Sequence, residues 1–284
     1  MNVSKVTDPT QIPEWRAIGR ECALVRHLIG SGVTALGVAN YADKRGEYYT
    51  AFFGLSVGLE RLVKLILVAD YAISNGGKMP QESVVRSFGH KLVALVDAAE
   101  EIAVRRQLKV GYTRPQSPIS TKIVEALDSF ADARRGRYAN FLALDNPNLG
   151  TEEPINKWWG EVAELILRER YYGTKGEQRV KKNAEMVDAM LGNSAFVLFT
   201  NETGDTMRDV LTSSIRSGQS TYVQKFGRYY TLLVVRWLAS IFYALSNDAC
   251  YGNGVHAFAG AYEYFQTYTV EDHFLKTRKK WPLT

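Results

Sequence analysis

Residues 47–74, EYYTAFFGLSVGLERLVKLILVADYAIS, decide the fold class. Phe53, Val57, Glu60, Lys64 and Leu67 recur at three-to-four-residue spacing, the period of a helix that turns one face to a core. No proline interrupts the run, and Asn75-Gly76-Gly77 supplies a C-terminal stop, since glycine takes the left-handed conformation in which helices commonly end. The pattern predicts a long helix with Phe53, Leu59 and Leu67 buried and with Glu60 and Lys64 on adjacent turns.

The same period extends outward. Upstream, Ile18, Cys22, Val25, Ile29 and Val33 predict a helix over Glu14 to Asp43, with Gly30, Gly32 and Gly37 marking a break or a close helix contact. Downstream, Pro80 suits a first helical turn, and Leu92, Leu95, Val96 and Ala99 carry a helix over Val84 to Arg106. After a loop at Lys109 to Pro118, Ile123, Leu127 and Phe130 predict a helix from Ile119 to Arg135. Asp145 to Gly150 is the clearest surface loop.

Further helices are predicted near Pro154 to Arg170, Gln178 to Leu191, Asp205 to Arg216 and Tyr222 to Ser246, the last apolar nearly all round and so enclosed by others. Ala195 to Thr200 is a β-branched and aromatic run with no evident partner strand, and is assigned to buried helix or loop. The expected fold is therefore all-α, a multi-helix bundle forming one domain over residues 1–284.

Composition agrees with an ordinary folded protein, at 46% hydrophobic and 23% charged residues. Ala51 to Ala72 contains Glu60, Arg61, Lys64 and Asp70, and Tyr222 to Leu245 contains Lys225, Arg228 and Arg236. A charge at a bilayer centre costs about 2.5–3.5 kcal/mol, so both segments are expected as core helices rather than membrane spans. Met1 to Glu14 has no apolar run of a secretory signal, and the expected location is the cytoplasm. Cys22 and Cys250 form no CxxC pair, and no His/Cys cluster has metal-ligand spacing, so neither metal nor cofactor is expected. The formal charge of +5 permits an anionic partner and is concentrated at Arg134 to Arg137, Arg179 to Lys182 and Lys276 to Lys280.

Phosphate-loop, dinucleotide-binding, nucleophile-elbow and HExxH motifs are all absent. Two patches remain. The first is Phe53 to Lys64, carrying Glu60-x-x-x-Lys64, together with Gly89-His90-Lys91-Leu92. The second is Arg134-Arg135-Gly136-Arg137-Tyr138-Ala139-Asn140, after a further helix. Over about residues 47–145 these resemble the HEPN-type all-helical domains, with their Glu-x-x-x-Lys and Gly-His-x-Leu patterns and an Arg-x4–6-His motif. The resemblance implies a HEPN-like core followed by additional C-terminal helices.

It also implies a metal-independent ribonuclease, as in toxins of bacterial defence or toxin–antitoxin systems, acting as a homodimer or larger assembly. Arginine offers a rigid donor fork to phosphate, and histidine moves protons near neutral pH. Arg135 would stabilise charge, Arg134, Arg137 and Tyr138 would bind RNA, and Asn140 stands where the family has its histidine. Asparagine can orient a phosphate but cannot exchange a proton, which leaves His90 as the candidate for that task. Taken by themselves, Glu60 and Lys64 equally make an ordinary helix ion pair, and the arginines suit a helix C-terminus. A noncatalytic RNA- or protein-binding subunit is the alternative.

Overall fold

The computed structural model describes residues 8–131, 153–192 and 194–283. Helices α1 (Pro13–Leu36) and α2 (Gly46–Ser74) pack along each other at glycines. A Cβ on Gly54 would stand 2.7 Å from the Leu28 carbonyl oxygen, and one on Gly32 would stand 3.0 Å from the Leu55 amide nitrogen. Close contact, not a break, is thus what these residues serve, and α1 runs through Gly30 and Gly32 before ending at Leu36.

The core stripe of α2 is Phe52, Leu55, Leu59, Leu62 and Ile66, all buried. The run beginning at Phe53 is one position out of phase with it. Phe53 is therefore 48% exposed rather than buried, whereas Leu59 is fully enclosed and Leu67 packs, partly buried, against the core. Glu60 and Lys64 belong to this second, half-exposed face.

The helix expected over Val84 to Arg106 is two, α3 (Glu82–Ser87) and α4 (Leu92–Arg105). Gly89 separates them at φ 77°, a conformation that glycine alone takes without a Cβ clash. Helix α5 (Pro118–Ala131) buries Ile119, Ile123, Leu127 and Phe130. The loop Asp145 to Gly150 lies outside the described residues.

Helix α6 (Pro154–Trp158) continues through a wider π turn, Trp159–Ala163, into α7 (Glu164–Arg170), and α8 (Lys175–Leu191) starts at Thr174, whose hydroxyl accepts from the Gly176 and Glu177 amides. Ala195 to Thr200 is neither helix nor buried: Phe196 and Leu198 are 76% and 69% exposed. Strand β1 (Phe199–Thr200) pairs antiparallel with β2 (Thr206–Met207). The turn between them outweighs helical continuation, because the Asn201 side-chain oxygen accepts from the Thr203 and Asp205 amides.

Residues 205–216 and 222–246 do not form separate helices; residues 205–209 carry β2 and the cap, and α9 (Val210–Asn247) joins the rest into one helix, capped by the Asp209 carboxylate on the Thr212 amide at 2.7 Å. Its apparent breaker, Gly218, lies against α8, where a Cβ would stand 2.3 Å from Val180 Cγ1. Tertiary packing overrides the cost of about 1 kcal/mol that glycine brings to a helix interior. By length and composition, Val210–Gly252 could cross a membrane, and 83% of its most apolar window is buried inside the chain, as in a core helix. The apolar surface of this helix is thus largely covered by the chain itself, as its all-round apolar pattern leads one to expect. Short 3-10 segments, His256–Phe258 and Ala261–Tyr268, and α10 (Asp272–Thr277) complete an all-α bundle. One buried cluster runs through it from Ile18 to Trp281.

A polar knot sits inside this core. Glu202, from the β1–β2 turn, is fully buried and accepts from Tyr48 Oη at 3.2 Å and from Arg216 Nε at 2.9 Å. Trp159 Nε1 donates to Tyr48 Oη at 2.9 Å, and the Arg216 guanidinium lies 3.6 Å from the Trp159 ring centroid. Burial, with the Glu202 charge beside it, pushes the Tyr48 phenol well above its usual range.

Candidate functional site

On α2, Glu60 and Lys64 stand one turn apart, and Lys64 Nζ donates to Glu60 Oε1 at 2.8 Å. The left-handed turn at Gly89 ends α3 and brings His90 onto the same oxygen, Nδ1 to Oε1 at 3.0 Å. Lys64 Nζ and His90 Nδ1 are 3.5 Å apart. Helix α5 supports the junction from below, for the Asp128 carboxylate accepts the Leu92 amide at the first residue of α4. That amide is one of the orphan donors at a helix start, and an acidic acceptor there also complements the helix dipole.

A carboxylate only accepts and an ammonium only donates, so Nδ1 of His90 donates in its contact with Glu60 and would accept in its longer contact with Lys64. Nε2 has no hydrogen-bond partner among the described residues. Glu60 and Lys64 are mostly covered, at 18% and 16% side-chain exposure, while His90 is 78% exposed. The arrangement is an exposed imidazole held from behind by a mostly covered carboxylate, beside an ammonium.

The structure thus brings the Glu60–Lys64 pair together with His90, 26 residues beyond Lys64 in sequence. Arg134, Arg135, Arg137, Tyr138 and Asn140 lie outside the described residues. Among the described histidines, His27, His256 and His273 form no ion pair with a carboxylate, and no group of three His, Cys, Asp or Glu side chains is placed to hold a metal ion. Cys22 and Cys250 are buried free thiols, and burial raises the pKa of both.

Sequence inspection missed Asp128. Its only sign was a carboxylate within the otherwise apolar Ala126-Leu127-Asp128-Ser129-Phe130. It also missed a groove along α1, although Arg16, Arg20 and Arg26 were visible at near-helical spacing. No protein-family model, curated protein or solved structure matches the chain.

Proposed function

We propose that this is a HEPN-like, cytoplasmic, RNA-directed protein in which His90 performs proton transfer during metal-independent RNA cleavage. The observation that carries the proposal is the 3.0 Å contact between Glu60 and His90, which joins the two halves of the first patch of the resemblance, the Glu-x-x-x-Lys and Gly-His-x-Leu segments. A carboxylate that fixes an imidazole tautomer leaves the opposite nitrogen ready to take a proton.

In that reaction His90 Nε2 takes the proton of a 2′-hydroxyl, and the freed oxygen bonds to the adjacent phosphorus. The 5′-oxygen leaves and is protonated by water, giving a cyclic phosphate and a 5′-hydroxyl end. Arg134, Arg135 and Arg137 would hold the phosphate, with Tyr138 against a base and Asn140 hydrogen-bonding the phosphate. The resemblance adds a homodimer and a place in bacterial defence or a toxin–antitoxin system.

Asn140, where the family carries histidine, favours a second reading, a noncatalytic RNA- or protein-binding subunit. Purified protein is incubated with mixed RNA in chelator, as wild type, His90→Ala, Arg135→Ala and the Arg135→Glu/Arg137→Glu double variant. Cleavage by wild type that falls about 100-fold in His90→Ala supports the enzyme. Salt-sensitive binding without cleavage, weakened by the charge reversals, selects the second reading. If wild type neither binds nor cuts RNA at low salt, the enzyme and the RNA-binding subunit are both wrong.

A further inference from the structure

Helix α1 carries Arg16, Arg20 and Arg26 along the wall of a groove of about 860 Å³, with Gly19 and Ala23 between them. The opposite wall is the 3-10 segment Ala261–Tyr268 and the residues before it. Gly19 and Ala23 are too small to fill the space, and Tyr264 leans over the glycine, its hydroxyl 3.4 Å from where a Cβ would sit. At one end Trp15 is fixed by its indole nitrogen donating to the Ala259 carbonyl at 2.8 Å.

The charge of this groove is not balanced. Glu263 is the one carboxylate among its described lining residues, against the Arg16 and Arg20 guanidiniums. Arg16 donates to the Thr10 carbonyl at 2.9 Å, a neutral partner that leaves its charge in place. Arg20 forms no hydrogen bond or ion pair among the described residues. The neighbouring Glu21, which could have neutralised it, is turned to α2 and paired with Arg61 at 2.6 Å.

Arginines four residues apart on one helix face present two planar forks side by side, the geometry that grips phosphate oxygens. The aromatic Tyr264 offers a flat surface for a base, and the volume is that of ordinary small-molecule sites. From this combination we infer that the groove binds the nucleotide unit of a phosphate-bearing ligand, with the phosphate on Arg16 and Arg20 and the base against Tyr264. Two sources share that chemistry, a free nucleoside phosphate and one nucleotide of an RNA strand. The inference does not depend on His90, since the groove shares no lining residue with the Glu60–Lys64–His90 site.

The test titrates ADP and a fluorescein-labelled twelve-residue oligoadenylate against the full chain at low salt. The variants are Arg16→Glu/Arg20→Glu, the milder Arg20→Gln, Tyr264→Ala and His90→Ala, each checked for its helical signal by circular dichroism. At least one probe should bind wild type, more weakly as salt rises, with a tenfold or greater loss in the double variant. Arg20→Gln and Tyr264→Ala should each lose several-fold, and His90→Ala should bind like wild type. ADP binding identifies the free nucleotide as sufficient; binding of the oligonucleotide alone identifies the strand. The inference is overturned if neither probe binds, if arginine and tyrosine variants bind as wild type does, or if only His90→Ala weakens binding. Unchanged binding in the arginine and tyrosine variants overturns the groove and leaves RNA cleavage at His90 standing, so failure of the groove and failure of the proposed function are separable.

Discussion

Two glutamates in this chain each gather a cation and a ring. Glu202 holds Arg216 and Tyr48 inside the core with none of its side chain exposed, whereas Glu60 holds Lys64 and His90 at the surface. The chemistry is alike and the surroundings are opposite. Inside, each charge has given up water, so the network persists only while every partner is present, and losing one is expensive. In the outer cluster the ring is 78% exposed, so water replaces it at little cost, while Glu60 and Lys64 keep each other. The inner cluster is thus suited to fixing the hairpin onto the bundle, and the ring of the outer one can be lost without endangering the fold.

The strongest way to break this contrast is Glu202→Ala. It leaves the Arg216 guanidinium buried without its carboxylate and the Tyr48 hydroxyl without an acceptor, so unfolding stability should fall by about 3–5 kcal/mol. Urea unfolding followed by circular dichroism measures it, and a loss below 1 kcal/mol would mean that the knot contributes little.

Tyr48→Phe should cost about 1–3 kcal/mol, because the buried Trp159 N–H loses its acceptor and Glu202 loses a donor. It carries a pH signature. The fold favours the neutral phenol and raises its pKa, so this stabilisation is complete below the unfolded value of about 10 and is lost as pH climbs above it. Wild type should lose stability between pH 9 and 11, on the order of the ordinary tyrosine range, and Tyr48→Phe should lose less over that interval. Other raised tyrosines, Tyr171 and Tyr229 among them, keep the slope from vanishing. Parallel slopes for the two proteins would remove Tyr48 from the account.

The smallest stability effect belongs to His90→Ala, at most about 0.5 kcal/mol, since the side chain is mostly in water and its partner keeps Lys64. A drop of 2 kcal/mol or more, well above the roughly 0.5 kcal/mol expected of a surface change, would make the outer cluster a structural clamp like the inner one.

Helix content was legible because the period of α2 is unmistakable, but its phase was not. Phe52 and Phe53 are equally apolar, and only packing against α1 and α5 chooses Phe52 for the core. Glu60 and Lys64 were legible as a pair because four residues are one turn. Their meeting with His90 depends on Gly89 adopting a positive φ, which spacing does not report. The extent of α9 was hidden for a related cause: Gly218, flanked by serines, has the composition of a turn, and its helical state is imposed by Val180 from another helix. The buried Glu202 knot was invisible, since its members come from positions 48, 159, 202 and 216 and are joined only by the fold.

The length and lateness of α9 bear on how the chain is made. Its 38 residues rise about 57 Å, and it covers α2 and α5, which lie well upstream of it in the sequence. Synthesis proceeds at about 5–20 residues per second, so the apolar stripe of α2 waits on the order of ten seconds or more for its cover to emerge. The α1–α2 pair can close early at its glycines, yet contacts such as Tyr41 to Ser213 and Gln224 to Ala39 must await the C-terminal third. A nascent chain of this design presents half a core to the cell before it can hide it, and a holdase chaperone would find its binding surface on α2 and α5 during that interval.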